Sequence, residues 1–162
     1  MTDVTYLRTH EGLAYLCAVI DLFSRSVVGW AVQSSQTSEL AVRALRMVIW
    51  RLKLGPGLLV HSDQGAQFTS REWATFLREH NLVHSVNRKG NCHDRAVAES
   101  FVLLLKQEKI RRHKDQTREQ ARRDVFEYIG LFCNSKRKHT NKGMLSPVGY
   151  ENRPQKSKNA DV

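Results

Sequence analysis

The sequence predicts an α/β fold: a five-stranded mixed sheet, three antiparallel strands followed by two parallel ones, flanked by helices on both faces. Three observations predict it. Three β-rich segments come first, and the short connection Phe23-Ser24-Arg25 joins the last two as a hairpin. From residue 38 onward, helical and strand patterns alternate, the order that builds parallel pairs. The apolar runs over 14–23 and 26–32 are nearly continuous, as expected of strands covered on both faces.

The elements follow in order. A short first strand covers 3–9, and the hairpin strands cover 14–23 and 26–32. Leu40, Ala44, Leu45, Val48 and Leu52 recur at helical spacing and predict a helix over 38–54, ended by Gly55-Pro56-Gly57. A buried strand over 58–61 runs into the polar turn Ser62-Asp63-Gln64-Gly65. Thr69 with Glu72 reads as a capping box for a helix over 70–81, with Trp73, Phe76 and Leu77 inward. A strand over 83–86 and a polar loop over 87–93 come next. Val97, Ala98, Phe101, Leu104 and Leu105 form the apolar stripe of a helix over 94–112. Thr117 with Gln120 caps a last helix reaching 134, with Val125, Phe126, Ile129 and Phe132 inward. Ser146-Pro147 is expected to break regular structure. Trp30, Trp50 and Trp73 lie at core spacing and read as packing residues.

At 162 residues the chain suits one domain, over 1–151, with a polar, disordered tail over 152–162. A domain of this size buries roughly 70% of its unfolded surface and needs no staples. Cys17, Cys92 and Cys133 are scattered and form no CxxC pair, so reduced structural thiols are expected rather than zinc ligands or disulfides. No apolar run reaches the roughly 20 residues of a membrane span, and the first residues carry no signal-peptide pattern. The expectation is a cytoplasmic protein without membrane contact. The formal net charge is +10, from 26 Lys and Arg against 16 Asp and Glu, and it favours a polyanionic partner.

Two acids stand where a core fold carries them least easily. Asp3 opens the first strand, and Asp63 follows directly on the buried run Leu58-Leu59-Val60-His61. If those strands are neighbours, the carboxylates meet at one edge of the sheet. They repel unless one takes a proton or a cation sits between them. A hard divalent ion suits such oxygen ligands, Mg²⁺ best. Glu99, off the apolar stripe of its helix, is the best third ligand for a second ion. Asp21, ending Ile20-Asp21-Leu22, is a rival to Asp3, or it bonds the Ser24-Arg25 turn. His61 reads as structural, since two-metal chemistry needs no general-base histidine.

Those segments carry a resemblance. Asp3-Val4-Thr5-Tyr6-Leu7, Val19-Ile20-Asp21-Leu22-Phe23-Ser24-Arg25, Val28-Gly29-Trp30-Ala31 and His61-Ser62-Asp63-Gln64-Gly65 are four of the stretches. Gln67-Phe68-Thr69-Ser70, Arg88-Lys89-Gly90-Asn91-Cys92 and Ala96-Val97-Ala98-Glu99-Ser100-Phe101 are three more, and Asn134, Arg137, His139 and Ser146-Pro147 close the set. Together they resemble the DDE transposases and retroviral integrases, and in particular the bacterial insertion-sequence-three family. The 35 residues between Asp63 and Glu99 match that family's spacing. The resemblance implies a ribonuclease H-like fold and a catalytic core over 1–151. It implies Asp3, Asp63 and Glu99 as catalytic and metal-binding acids, with two Mg²⁺ ions (Mn²⁺ as substitute). Lys106 falls on the family's basic residue seven positions after the Glu. Arg95, Cys133 and Lys142 stand where the family commonly has Asn, Tyr and Leu.

The implied function is metal-dependent DNA cleavage and strand transfer in transposition, on element ends and target DNA. A homo-oligomer, at least a dimer, is implied, together with an upstream DNA-binding region or subunit and a place beside the bacterial nucleoid. Two other readings stay open: a catalytically incomplete DNA-binding remnant, and a ribonuclease H-type nuclease. Arg88 and Lys89 in the polar loop, Lys106 on the Glu99 stripe, and Arg111, Arg112 and Arg137 in basic runs are the candidate DNA contacts.

Overall fold

The computed structural model of the chain describes residues 1–52, 57–86, 92–110 and 117–153, with only the backbone of 92–95. The element order is β1 (Thr2–Thr9), β2 (Gly12–Ile20), β3 (Val27–Gln33), α1 (Ser38–Leu52), β4 (Leu59–Ser62), α2 (Arg71–Glu79), β5 (Val83–Val86), α3 (Cys92–Glu108), α4 (Arg118–Glu127) and α5 (Pro147–Glu151). A π-helical turn, Tyr128–Cys133, continues α4. Short 3₁₀ turns occupy Ala66–Phe68 and Thr140–Lys142.

The expected three antiparallel and two parallel strands are present. β1, β2 and β3 form an antiparallel meander, and β4 pairs in parallel with β5. β4 lies alongside β1, but the hydrogen-bonded ladder does not continue across that seam. Helices cover both faces. Leu7, Leu16, Ala18 and Ile20 pack with Ala98, Phe101 and Leu105 of α3 and with Val125 of α4. Cys17, Val19 and Val28 pack on the other face with Leu45 and Val48 of α1 and Trp73 of α2. α1 comes this close to β3 because of Gly29, where a Cβ would collide with the Ala44 carbonyl and the Val48 side chain. No helix among the described residues is long and apolar enough to cross a membrane.

Several expectations needed correction. Ser70, not Thr69, caps α2, accepting from the Trp73 amide, because Thr69 closes the preceding 3₁₀ turn. Glu72 instead receives the Ser38 hydroxyl at the start of α1. Ser146-Pro147 starts α5 rather than ending structure. Ser146 accepts from the Gly149 amide, and Pro147 takes a first-turn position where no donor is needed. Trp50 is 83% exposed, because it lies about 200° around α1 from Val48 and off the packed stripe. Leu52 follows the stripe but is 45% exposed at the end of α1. Phe126 and Phe132 face outward, at 61% and 40% exposure. The π turn widens the helical repeat, so Tyr128, Ile129, Cys133 and Asn134 take the inward places. The capping box of Thr117 and Gln120 stands as expected.

Two polar clusters hold the turns. Asp21 accepts from the Phe23 and Ser24 amides at 3.2 and 2.9 Å and from the Ser24 hydroxyl at 2.7 Å. It therefore builds the β2–β3 turn, the alternative already open in the sequence. Burial opposes its charge, but the Ser24 and Phe23 donors outweigh burial and hold the carboxyl below its ordinary value. Asn134 is 3% exposed. It accepts from the Val27 amide and donates to the Val27 carbonyl, both at 2.9 Å. The two free thiols among the described residues, Cys17 and Cys133, are buried.

Asn134→Ala strands both backbone groups of Val27 and is expected to cost about 3 kcal/mol. A lower urea midpoint at unchanged slope reads this directly, and a midpoint like the native one counts against the clamp. Asp21→Asn keeps an acceptor but loses the charge. The native charge stabilises the fold above the unfolded value of about 4, and its contribution disappears as pH falls through the lower folded value. The stability gap between the two proteins is therefore expected near neutrality and should close in acid. A gap independent of pH, measured by urea unfolding, argues against a role for the charge.

Candidate active site

Asp3 lies on β1 opposite Ala18 of β2 and is half-buried. Alternation along β1 puts it on the same face as Leu7, the face that α3 and α4 cover. Asp63 leaves the end of β4, next to β1. The two acids therefore come from adjacent strands through unrelated stretches of sequence.

The turn carrying Asp63 is held from several sides. Ser62, fully buried, donates its hydroxyl to the Asp63 carbonyl at 3.0 Å. With that proton committed, the hydroxyl accepts from Nε2 of His84 on β5, 2.8 Å away. The His84 ring stands edge-on to the fully buried Trp73, with centroids 5.8 Å apart. Burial, and then the nearby His61, hold His84 below its ordinary value, which favours the neutral ring. The Asp63 Oδ1 accepts from the Gly65 amide at 2.9 Å. A Cβ at Gly65 would strike both that oxygen and the Gln67 side chain, so glycine is the residue that fits. Ser62 and His84 were not singled out in the sequence. The signal was there in two polar residues placed beside apolar ones on short strands, Val60-His61-Ser62 and Val83-His84-Ser85-Val86.

Cys17 reports on the electrostatics. It is buried in β2 opposite Val4 of β1. Burial pushes its thiol far up, and the Asp3 and Asp63 charges push it further. The donors on offer are hard oxygens, and they fit a hard cation rather than a thiophilic one.

Glu99 is exposed on α3, beside the buried Ala98. Among the described residues, no three His, Cys, Asp or Glu side chains are gathered closely enough to hold an ion as they stand. Asp3 and Asp63 come from neighbouring strands, and among the described residues Glu99 does not complete a three-residue cluster with them.

The candidate DNA contacts have varied surroundings. The Lys106 ammonium lies 4.4 Å from the centre of the Tyr6 ring, across the packing of α3 on β1. Arg137 is drawn inward. It pairs with Glu108, contacts the Tyr128 hydroxyl at 3.2 Å and stacks over Phe132 at 5.0 Å. Arg88, Lys89, Arg111 and Arg112 lie outside the described residues. His61 is half-buried, and its Nδ1 has no hydrogen-bond partner.

The chain is similar to known proteins. The integrase core domain model matches residues 1–92, and a second integrase core domain model matches 99–154. The transposase InsF for insertion sequence IS3A of Escherichia coli strain K12 is 44% identical over 151 residues, 93% of this chain and 52% of the relative. The transposase for insertion sequence element IS904 of Lactococcus lactis is 39% identical over 149 residues, 92% of this chain and 59% of the relative. The chain thus spans a little over half the length of these curated relatives. In three dimensions it is similar to the BIV integrase catalytic core, with a TM-score of 0.67 at 20% identity, over 93% of this chain and 91% of that one. It is also similar to the HTLV-2 integrase catalytic core domain solved in complex with magnesium, with a TM-score of 0.68 at 19% identity, over 91% and 90%. The fold is that of these integrase cores, ribonuclease H-like as the sequence implied, and the chain belongs to the integrase core domain family, with insertion-sequence transposases among its relatives.

Proposed function

We propose that the chain is the catalytic domain of a metal-dependent polynucleotidyl transferase that cuts and joins DNA at the ends of an insertion sequence. One observation carries the reading: β1, which bears Asp3, runs alongside β4, which ends at Asp63. Where two such charges come close, they need a cation or a proton. The similarity to insertion-sequence transposases over most of the chain supports DNA as the substrate.

Asp3, Asp63 and Glu99 are the residues that would hold two Mg²⁺ ions. When bound, such ions stabilise the attacking and departing oxygens of phosphoryl transfer. The protein's own part is positioning. The Gly65 amide fixes one oxygen of Asp63, and the His84–Ser62 pair fixes its carbonyl. α3 carries Glu99 on its exposed side and packs against β1, which carries Asp3. A positive surface holds the DNA, with Lys106 beside β1 and with Arg88, Lys89, Arg111 and Arg112 as further phosphate contacts. The active assembly is an oligomer, at least a dimer, that also uses a DNA-binding region beyond this chain.

Mn²⁺ titration followed by calorimetry tests the ligand set. Asp63→Asn still accepts from the Gly65 amide, so it keeps the turn, and it is expected to weaken Mn²⁺ binding at least about tenfold, roughly 1.4 kcal/mol. Equal affinity in both proteins would falsify the metal assignment. Function is read by a strand-transfer assay on element-end duplexes with Mg²⁺, with this chain alone and joined to an upstream DNA-binding region. Joining is expected at least from the longer protein, and Asp63→Asn is expected to abolish it. DNA binding without cutting or joining means a remnant. Cleavage of RNA–DNA hybrid without joining means a nuclease.

A further inference from the structure

A second feature lies on another side of α3. A groove of about 460 Å³ runs between α3 and the segment after the π turn. Ala96, Val97, Ser100 and Leu104 of α3 form one wall. Arg137, Lys138, His139, Thr140 and Asn141 form the other, and Arg25 reaches in from the β2–β3 turn. None of the described lining residues is acidic.

The fold goes to some length to build this groove. Asp21 ties the turn, and its carbonyl accepts from the Arg25 amide at 2.8 Å. Arg25 is held at φ 67°, a left-handed conformation that a non-glycine residue adopts only under constraint. Asn134 clamps the opposite wall to β3 at Val27, two residues from Arg25. Lys142, next in sequence to the lining residue Asn141, lies over both Phe23 and Tyr150, at 5.3 and 4.7 Å from the ring centres.

The charges converge without enough counter-charge. Glu108 pairs with Arg137. No described carboxylate forms an ion pair with Arg25, Lys138 or Lys142. Two recessed nitrogens, Arg137 Nε and His139 Nε2, have no hydrogen-bond partner. Burial, and then the charges of Arg137, Arg25 and Lys142, hold the His139 ring below its ordinary value. Cations crowded around a neutral histidine, with unused polar nitrogens behind them, form a setting that an oxyanion stabilises.

We infer that this groove is a phosphate-binding site, its ligand a backbone phosphate of a DNA strand, with the half-buried Arg25 and the exposed Lys138 making first contact and His139 behind them. The choice of DNA as the source of the phosphate rests on the function proposed above; the site's chemistry does not. Ser100, next to Glu99 in sequence, lines the groove, so a strand seated here lies one step around α3 from the proposed metal ligand.

The test uses two probes. Inorganic phosphate is titrated while the His139 imidazole is followed by NMR. A short fluorescent duplex is titrated by anisotropy at several salt concentrations. The variant is Arg25→Asn with Lys138→Ala; asparagine tolerates the left-handed conformation, and an unchanged urea midpoint and Mn²⁺ affinity confirm an intact fold. Expected are a phosphate-induced shift of the His139 resonances that the variant loses, duplex binding about tenfold weaker in the variant, and a salt slope shallower by about 2. If phosphate moves His139 but duplex affinity is unchanged, the groove serves a free phosphate ligand and the strand is overturned. If phosphate leaves His139 unmoved, the site is overturned even where the duplex weakens, since lost surface charge alone explains that. If the native chain binds no duplex, the DNA reading above fails, and the phosphate titration alone decides the groove.

Discussion

Asn134 makes two hydrogen bonds to Val27, and a large part of the molecule is arranged by them. The side chain amide satisfies both backbone groups of a residue 107 positions away, at the start of β3. A backbone pair at the end of a buried strand needs partners, and no water reaches a residue that is 3% exposed. The Asn134 carbonyl in turn accepts from the Val148 amide at 3.1 Å, which anchors α5. One side chain and its own peptide thus join the first sheet, the end of α4 and the final helix. The π turn belongs to the same constraint. An ordinary α-helical repeat through 128–133 would carry residue 134 to another angle, and the wider turn, with the Asn134 amide bonded to the Ile129 carbonyl, lets it meet Val27.

This explains which positions in the last helical segment tolerate unusual residues. Cys133, where the resemblance implies a tyrosine, sits within the core, where burial pushes its thiol up to about 11. Lys142 replaces the common leucine and still packs, its ammonium lying against two aromatic rings. Neither departure disturbs the junction, because the junction is made by Asn134 and not by them.

What could be read from the sequence followed from how local the cause was. The strand count, the two-sided covering of the sheet and the Thr117 cap came from periodicity and short-range chemistry, and the structure has them. Asp21 had two open roles, and the turn role was decided by donors two and three residues away. Trp50, Phe126 and Phe132 were misplaced for another reason. Apolarity marks a residue as able to be buried, while the phase of a helix against its sheet decides whether it is. The π turn shifted that phase for Phe132, and Trp50 lay off the stripe from the start. The site divides in the same way. Asp63 stood out as an acid after an apolar run read as buried, although Leu58 and Leu59 of that run are 37% and 48% exposed and only Val60 is deeply buried. Its support by Ser62 and His84 depends on the parallel register of β4 and β5, which pairs Ser62 with Val86 and Val60 with His84. No short motif encodes that register.

α3 connects the two sites through its geometry. Ala98, Phe101 and Leu105 hold it to the sheet. Successive residues on a helix are about 100° apart, so Glu99 and Ser100 cannot serve the same direction. Glu99 is exposed, and Ser100 lines the basic groove. A negative locus and a positive one are therefore separated by little more than one residue's rotation on a rigid element. The arrangement suits a polyanion whose reacting phosphate must approach carboxylates that repel it. On the function proposed above, cations bound at those carboxylates would offset the repulsion at the reacting phosphate, and the groove would hold a neighbouring phosphate. The cations of that groove, Arg25 and Lys138, would then act from a different side of α3 than Glu99 does.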